Sequence, residues 1–259
     1  MPANEESATE STVAPTVLVI GGGVAGLSAA IFPARHGLAT TVVAGEGSLL
    51  RRNAHLENFP GFPAGVNARL LLHMMREQAE RAGATIESDR VVRLEQTPVG
   101  FSAETSDGST HDGSIVIVAT KNSVDFLDHL DGVSIVDRGK AYIETDERGR
   151  TGVEGLYAAG RITGLPHQAI VAAGHGATAA VTAIEDSAHP FYHDWVAPAG
   201  YFSDRDRDVP PGCEEIPYEE FRRRERDSMV EMREYFADPF PDAPDQHPSV
   251  SRGYGPDSA

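Results

Sequence analysis

The first clear pattern along the chain is a run of four apolar residues, Val17 to Ile20, after a polar and acidic start. An uninterrupted apolar run of this length is typical of a parallel strand that is buried on both faces. A glycine-rich turn follows at once, and residues 27–36 then have a helical pattern that Pro33 should bend, because proline lacks a backbone donor. A second strand is predicted at residues 40–44, so the chain begins as a strand–helix–strand unit.

An amphipathic helix is predicted over residues 67–82, with Asn67 as its N-cap and Gly83 as its C-cap. Further strands are predicted at residues 84–87, 91–95, 100–105 and 115–119. A hydrophilic stretch then separates this half from a second group of elements. Those elements are strands at residues 141–145 and 156–159 and a long helix, rich in Ala and Gly, at 168–185.

The texture changes at His189. Residues 189–217 contain prolines, aromatic residues and paired charges with little periodicity, and a charged helix is predicted at residues 218–236. We therefore expect a disordered leader, one α/β domain and a partly disordered, irregular or helical C-terminal extension. Their predicted bounds are residues 1–15, 16–187 and 188–259, and a short linker occupies residues 121–140.

Charge narrows the choice of partners. The chain has 39 acidic residues against 22 Lys and Arg, a formal charge of −17, and its two lysines are Lys121 and Lys140. Such a surface repels phosphate backbones and anionic lipids, so we expect neither nucleic-acid nor membrane binding. Acid excess with few lysines resembles proteins of salt-rich cytoplasms, where screening reduces self-repulsion; an ordinary acidic protein stays an alternative.

Cysteine content and the N-terminal pattern indicate a cytoplasmic protein. Cys213 is the one cysteine, so an intramolecular disulfide and a cysteine-cluster metal site are excluded. The neighbouring acids disfavour its thiolate, which favours an inert thiol over a nucleophile. Residues 1–15 lack the basic start and apolar run of a signal peptide, and no stretch is long enough to span a membrane.

The glycine-rich turn carries the strongest chemical signal. A strand, a Gly-x-Gly-x-x-Gly turn and a helix form the dinucleotide-binding arrangement, in which the helix N-terminus stabilises the diphosphate. The residues of this cradle are Gly21, Gly23, Val24, Ala25 and Gly26. The usual acidic ribose ligand would fall near Ala44; Glu46 could replace it from the loop, or be a solvated acid.

Four later segments make the pattern more specific. Residues 57–61, Glu-Asn-Phe-Pro-Gly, resemble the flavin loop of thioredoxin reductases, and residues 116–120 resemble the strand that those enzymes end with Ala-Thr-Gly. Residues 155–160 and 167–176 are similar to their C-terminal flavin-binding block. The resemblance covers roughly residues 16–186. It implies a single FAD-binding Rossmann-like domain, a parallel sheet with helices and a small β-meander, and FAD as cofactor.

The resemblance also assigns site residues. Asn58, Gln168 and Ala169 match positions that face the flavin ring in the family, and amides suit its carbonyl and N–H groups. Ala119, Thr120 and Gly160 belong to the matching flavin-binding segments. Ordinary loop capping is the alternative for the polar residues. His167 and His175 flank this block as candidate proton donors to reduced flavin, although a packed or exposed histidine is commoner.

Two cationic residues depart from the family pattern. Lys121 stands where the family has Gly, and Arg161 stands where it has the Asp that holds the ribityl chain. Because arginine can only donate, we expect Arg161 to lie beside the ribityl–pyrophosphate or the N1/O2 edge of the flavin. The alternative for both is a surface residue that fills space left by a lost domain.

That lost domain is the inserted NADPH-binding domain of the family, whose place only residues 121–140 fill. The Cys-x-x-Cys pair that passes electrons to thioredoxin is absent too. We expect the aromatic segment 189–195 to cover the flavin face left exposed, and a metal site at its histidines is a weaker alternative.

The predicted function is therefore an FAD-dependent oxidoreductase with an unidentified donor and acceptor. A non-catalytic flavin- or nucleotide-binding redox sensor or partner subunit is the alternative, as is a homologue fed by a separate reductase. The redox partner could be a small molecule or a protein. A homodimer also stays open.

Overall fold

The computed structural model describes residues 14–45 and 47–250. In these ranges the helices are α1 (Val24–Arg35), α2 (Ala68–Ala82), α3 (Ala169–Asp186) and α4 (Tyr218–Tyr235). The strands are β1 (Val17–Ile20), β2 (Thr40–Val43), β3 (Thr85–Glu87), β4 (Val91–Thr97), β5 (Gly100–Thr105), β6 (Thr110–Gly113), β7 (Ile115–Val118), β8 (Ile135–Asp137), β9 (Ala141–Ile143), β10 (Leu156–Ala158), β11 (Trp195–Pro198) and β12 (Cys213–Ile216).

Five strands form a parallel central sheet in the order β10-β7-β1-β2-β3. Strand β1 lies between β2 and β7, with Val19 opposite Val42 on one side and Ile117 on the other. All three side chains are fully buried, as uninterrupted apolar runs predict for strands covered on both faces. The α/β fold predicted from the sequence is confirmed.

Helices α1 and α3 cross closely against one face of this sheet. A Cβ atom at Gly176 would lie 2.1 Å from the backbone oxygen of Ala25, so this crossing requires the small residues of α3. On α2 the predicted caps are confirmed: the Asn67 side chain accepts hydrogen bonds from two backbone amides, and Gly83 ends the helix in the left-handed region at φ +109°.

The predicted β-meander is the antiparallel sheet β4-β5-β6. The sequence pattern missed its third strand, β6, because the residues of that strand are mostly polar and carry no apolar alternation. Strands β8 and β9 form a separate antiparallel hairpin beside the central sheet.

The predicted hydrophilic linker, residues 121–140, needs correction. A short 3-10 turn at Asp125–Leu127 buries Phe126 and Leu127 in the core that lies under the sheet. Because residues 121–140 are hydrophilic on average, the sequence pattern did not reveal these two apolar side chains, which lie in a single turn. Residues 124–130 of this segment therefore pack into the domain, whereas residues 137–140 are exposed.

The described part of the extension, residues 187–250, contains more secondary structure than its sequence suggests. Strands β11 and β12 pair in parallel across the irregular stretch, and α4 confirms the predicted charged helix. The Glu215 carboxylate accepts backbone hydrogen bonds from Gly200, Phe202 and Ser203, which lowers its pKa to about 2 and fixes the connecting loop. Across the described ranges, no helix is long and apolar enough to cross a bilayer.

Candidate functional site

A cleft of about 460 Å³ opens where β1, β2 and β7 end and α1 begins. In open α/β sheets this edge, beyond the carboxyl ends of the strands, is where ligands bind. Nine of the cofactor residues predicted from the sequence line it: Gly21, Gly23, Val24, Ala25, Ala119, Thr120, Arg161, Gln168 and Ala169. Segments far apart in the chain therefore meet at one site.

The three glycines of the turn differ in what a side chain at each position would meet. Gly21 has φ +118°, and a Cβ atom there would lie 2.6 Å from the Ala119 oxygen. A Cβ at Gly26 would lie 1.8 Å from the Gly21 oxygen, so α1 packs on the turn only with glycine at this position. At Gly23 the nearest atom to a Cβ would be Ser48 Oγ, at 3.5 Å, which leaves its backbone open to the cleft.

The N-terminus of α1 is prepared for an anion. No side chain caps it, and its first turn carries no acidic residue. The first backbone N–H groups of a helix have no partner within the helix and carry a partial positive charge. The diphosphate of FAD fits this site, because its oxygens can accept those hydrogen bonds.

Gly160 and His175 lie behind the cleft wall. Gly160 has φ +77°, and a Cβ there would lie 2.7 Å from the Ala25 Cβ. The His175 Nδ1 accepts a hydrogen bond of 3.0 Å from the Gly160 N–H, and burial lowers the pKa of the His175 imidazole. Because Nδ1 accepts this bond, His175 supports the Gly160 turn as a neutral imidazole. His175 does not line the cleft.

Arg161 and His167 both line the cleft and contact one another. The Arg161 Nη1 donates to His167 Nδ1 at 3.1 Å, and Arg161 Nε donates to Asn122 Oδ1 at 3.0 Å. Since arginine only donates, the His167 proton lies on Nε2. Burial, and then the charges of Arg161 and Lys140, lower the pKa of His167.

The two amides that the resemblance places at the flavin ring are directly bonded. The Asn58 Nδ2 donates to Gln168 Oε1 at 2.8 Å. Gln168 lines the cleft as the residue before α3, and Asn58 reaches the same edge from the loop before α2. Both side chains are exposed, so they border the opening.

The candidate ribose ligand Glu46 lies outside the described residues. Three residues that line the cleft were not predicted from the sequence: Ser48, Asn53 and Arg90. Arg90 comes close because the end of β2 lies beside the start of β4: a Cβ at Gly45 would be 3.1 Å from the Arg90 Cα. No local motif could reveal this contact, because it depends on how the meander joins the sheet.

Arg69 fixes the segment that contributes Asn53. Its guanidinium is buried at 2% exposure and donates to the backbone oxygens of Arg51, Asn53 and Ala54, at 3.1, 2.5 and 3.1 Å. Burial lowers the pKa of Arg69. This role could not be predicted from the sequence, because an arginine near the start of an amphipathic helix is usually exposed.

The aromatic segment 189–195 does not cover the cleft, and that expectation was wrong. Asp194 receives two hydrogen bonds, of 2.6 and 2.8 Å, from the Arg35 guanidinium, and Phe191 packs on the His36 ring. These contacts lie at the opposite end of α1, a helix of 12 residues and so about 18 Å long. Within the described residues, no three His, Cys, Asp or Glu side chains could hold a metal ion together.

Comparison with known sequences supports the assignment of the cleft to FAD. Residues 16–55 match the FAD binding domain family, and residues 68–176 match the pyridine nucleotide-disulphide oxidoreductase family. A thioredoxin reductase of Streptomyces clavuligerus is 39% identical over 107 residues, 40% of this chain and 33% of that protein. The NADPH-dependent thioredoxin reductase 3 of Arabidopsis thaliana is 37% identical over 122 residues, 44% of this chain and 23% of that protein.

Solved structures agree on the fold. A thioredoxin reductase from Gloeobacter violaceus gives a TM-score of 0.57 at 17% identity, over 65% of this chain and 94% of that one. The thioredoxin reductase from Streptococcus pyogenes gives 0.60 at 14% identity, over 68% and 99%.

Fold and site together define an FAD-binding Rossmann-like domain. The chain is thioredoxin-reductase-like, and FAD is the cofactor of both families that it matches. The matched segments span about a third or less of the curated relatives' length.

Proposed function

We propose that this chain is an FAD-dependent oxidoreductase that exchanges electrons with partners bound outside its own fold, and not a self-sufficient NADPH–thioredoxin reductase. The observation that carries the proposal is the cleft, where a glycine turn, an uncapped helix N-terminus and two amides converge. This arrangement suits one FAD molecule, with the diphosphate at α1 and the flavin ring near Asn58 and Gln168.

The printed sequence offers no internal route for NADPH or for disulfide exchange. It contains one glycine fingerprint of the dinucleotide-binding type, which the cleft already uses. A dithiol relay needs two thiols, since one forms the mixed disulfide and the other resolves it. Cys213 is the single cysteine, and its Sγ lies near the His193 oxygen in the extension, away from the cleft.

When bound, FAD supplies the electron-transfer chemistry, and the protein sets its position and potential. The backbone of the glycine turn holds the diphosphate, while the Asn58 and Gln168 amides orient the ring. The Arg161 guanidinium contributes a permanent positive charge beside it. This charge favours an anionic group, either phosphate or the reduced flavin.

The test is spectroscopic. The purified chain, kept at high salt, is expected to be yellow with the bands of oxidised flavin, and these bands should bleach anaerobically with a suitable reductant and return on reoxidation. NADH, NADPH and a reduced ferredoxin are added separately. NADPH-driven reduction of thioredoxin by the chain alone would contradict the proposal, as would failure to bind FAD.

A redox sensor without turnover is the second candidate. This candidate is favoured because neither histidine is well suited to donate a proton to reduced flavin. His175 accepts a hydrogen bond from the Gly160 N–H, and the lowered pKa of His167 makes its imidazole a poor acid near neutral pH. Stoichiometric reduction of the bound flavin without catalytic reoxidation by any acceptor would select the sensor.

A further inference from the structure

The tip of the β8–β9 hairpin carries two cationic side chains, Arg138 and Lys140. Both are exposed, and neither forms an ion pair within residues 14–45 and 47–250. Lys140 is one of only two lysines in a chain with a formal charge of −17. In contrast, many arginines elsewhere are neutralised by ion pairs, such as Arg224 with Glu214 and Arg150 with Asp186.

This hairpin tip lies at the opening of the cleft. A Cβ at Gly164 would be 3.9 Å from Arg138 Nη1, so the Arg138 guanidinium sits over the turn that presents Arg161. Asn122 joins the two parts: its Nδ2 donates to the Ala141 oxygen at 3.3 Å, and its Oδ1 accepts from Arg161. Lys140 is close enough to lower the pKa of His167.

Arg138, Lys140 and Arg161 therefore form one positive surface, which we call the cationic mouth. Arg161 lies inside the cleft, and the other two lie on its rim. Asp137 ends β8 beside them, so the exposed tip, residues 137–140, keeps a net positive charge. On a chain this acidic, a local excess of unpaired positive charge concentrates attraction for anions at one place.

We propose that the cationic mouth docks an acidic electron-carrier protein that delivers electrons to FAD in the cleft; this inference rests on the proposed function. An acidic carrier is repelled by the rest of the surface and attracted here, which fixes both the place and the orientation of docking. Because Arg138 and Lys140 lie on an exposed hairpin, their charges attract a large partner protein as it approaches the cleft.

A free nicotinamide nucleotide fits the same charges less well. In this fold a nucleotide diphosphate is held by a glycine turn at a helix N-terminus, and the turn at α1 serves the cleft itself. The N-terminus of α3 also has no side-chain cap and no acid in its first turn, but it belongs to the same cleft, which Gln168 and Ala169 line. At α2 the N-terminus is capped by Asn67, and at α4 Glu219 and Glu220 fill the first turn with negative charge. At the hairpin tip the Arg138 N–H already donates to the Lys140 backbone oxygen at 3.0 Å.

Electron balance sets the stoichiometry. Full reduction of one FAD takes two electrons and one proton, so a one-electron carrier docks twice. Each carrier arrives reduced and leaves oxidised, and the proton comes from water at the open cleft.

The experiment compares charge reversal on the rim with charge reversal elsewhere. The double variant Arg138→Glu/Lys140→Glu leaves all cleft-lining residues unchanged. Its control is Arg226→Glu/Arg233→Glu on α4, which changes the net charge equally at two exposed arginines without ion pairs among the described residues. The probe is a purified acidic [2Fe–2S] ferredoxin, oxidised, and its Kd for the FAD-loaded chain is measured by calorimetry at several salt concentrations.

We expect the rim variant to weaken ferredoxin binding about tenfold at 0.1 M salt and the control to change it less than twofold. The Kd of the unaltered chain should rise with salt, and that of the rim variant should rise less. Photoreduction of the bound flavin, which needs no partner, should be the same in all three proteins.

Equal Kd values for the rim variant and the control overturn the docking proposal, as does binding of NADH or NADPH that the rim variant alone loses. Both results leave the proposed function intact if the flavin still binds and reduces. A chain that fails to take up FAD refutes the proposed function instead, and the two failures are thereby distinguished.

Discussion

Asn58 and Gln168 are 110 positions apart in sequence, and their side-chain amides form a hydrogen bond of 2.8 Å at the edge of the cleft. The bond ties the loop before α2 to the N-terminus of α3. It uses one donor of Asn58 and one acceptor of Gln168, which leaves the other polar atoms of each amide for a ligand.

Removing either amide should alter the flavin more than the fold. We expect Asn58→Ala and Gln168→Ala each to shift the visible absorption or midpoint potential of bound FAD, and the double variant to shift it by less than the sum, because the pair acts together. Melting temperatures should change little, since both side chains are exposed. Gln78→Ala, an exposed amide on α2, is the control; an unchanged flavin in all variants would remove these residues from the site.

Two helical glycines give a matched test of the turn. Gly26→Ala should lower the melting temperature and abolish FAD binding, because a Cβ there would lie 1.8 Å from the Gly21 oxygen. Gly174→Ala in α3 meets nothing within 4 Å and should stabilise by about 0.4–1 kcal/mol through lower entropy of the unfolded chain. Thermal melts and FAD titration measure both. Similar behaviour of the two variants would contradict the close packing of α1 on the turn.

Arg161→Ala separates two roles of one charge. If the guanidinium pairs phosphate, FAD binding should weaken about tenfold or more, since a charge-assisted bond contributes roughly 1.5–3 kcal/mol. If it faces the N1 edge, the flavin midpoint potential should fall, because reduced flavin loses its counter-charge. FAD titration and potentiometry of both proteins distinguish these results. No change in either quantity would place Arg161 outside the site.

Arg69 is expected to act through the backbone that it holds. Arg69→Met removes the guanidinium donor from three backbone carbonyl oxygens and should cost about 3 kcal/mol of unfolding free energy. One of these oxygens, that of Arg51, keeps a hydrogen bond from the Asp245 N–H. FAD affinity should fall as well, since Asn53 lines the cleft. Arg76→Met on the same helix loses an exposed pair with Glu80 and one hydrogen bond of 3.3 Å to the Ile86 oxygen, and should cost clearly less than Arg69→Met. Denaturant melts compare them, and equal costs would show that the Arg69 contacts contribute little.

Salt should stabilise the whole chain. At 0.01 M salt the Debye length is about 30 Å, so the net charge of −17 repels across the molecule. Screening also weakens attractive surface pairs such as Arg223–Asp227, but such pairs contribute little individually. We therefore expect the melting temperature to rise between millimolar and molar salt. A constant melting temperature would end the comparison with proteins of salt-rich cytoplasms.

Much of the cofactor site could be predicted because its signals are local. The glycine turn, the strand before it and the helix after it are adjacent in the chain. The lack of space for a Cβ atom requires glycine at positions 21 and 26. Arg90 and Arg69 could not be predicted in this way. Arg90 reaches the cleft only because the meander starts beside β2, and Arg69 matters only because residues 51–54 fold over it.

The C-terminal extension shows the same limit of prediction from local sequence. Its aromatic residues suggested a cover for the flavin, but the Arg35–Asp194 pair holds them at the far end of α1. Composition describes what a segment can bury, and long-range contacts decide where it does so.

By itself, the sequence determined the α/β class, the buried parallel strand β1 and the glycine cradle, since each follows from apolar periodicity or from residues within one turn; FAD followed from the resemblance of the later segments to thioredoxin reductases. Only the tertiary structure decided that Asn58 meets Gln168, that His175 supports Gly160, and that Arg138 lies over the Gly164 turn with Lys140 near His167. These relationships join segments separated by many residues, and the packing of the whole sheet and its helices sets the distances between them.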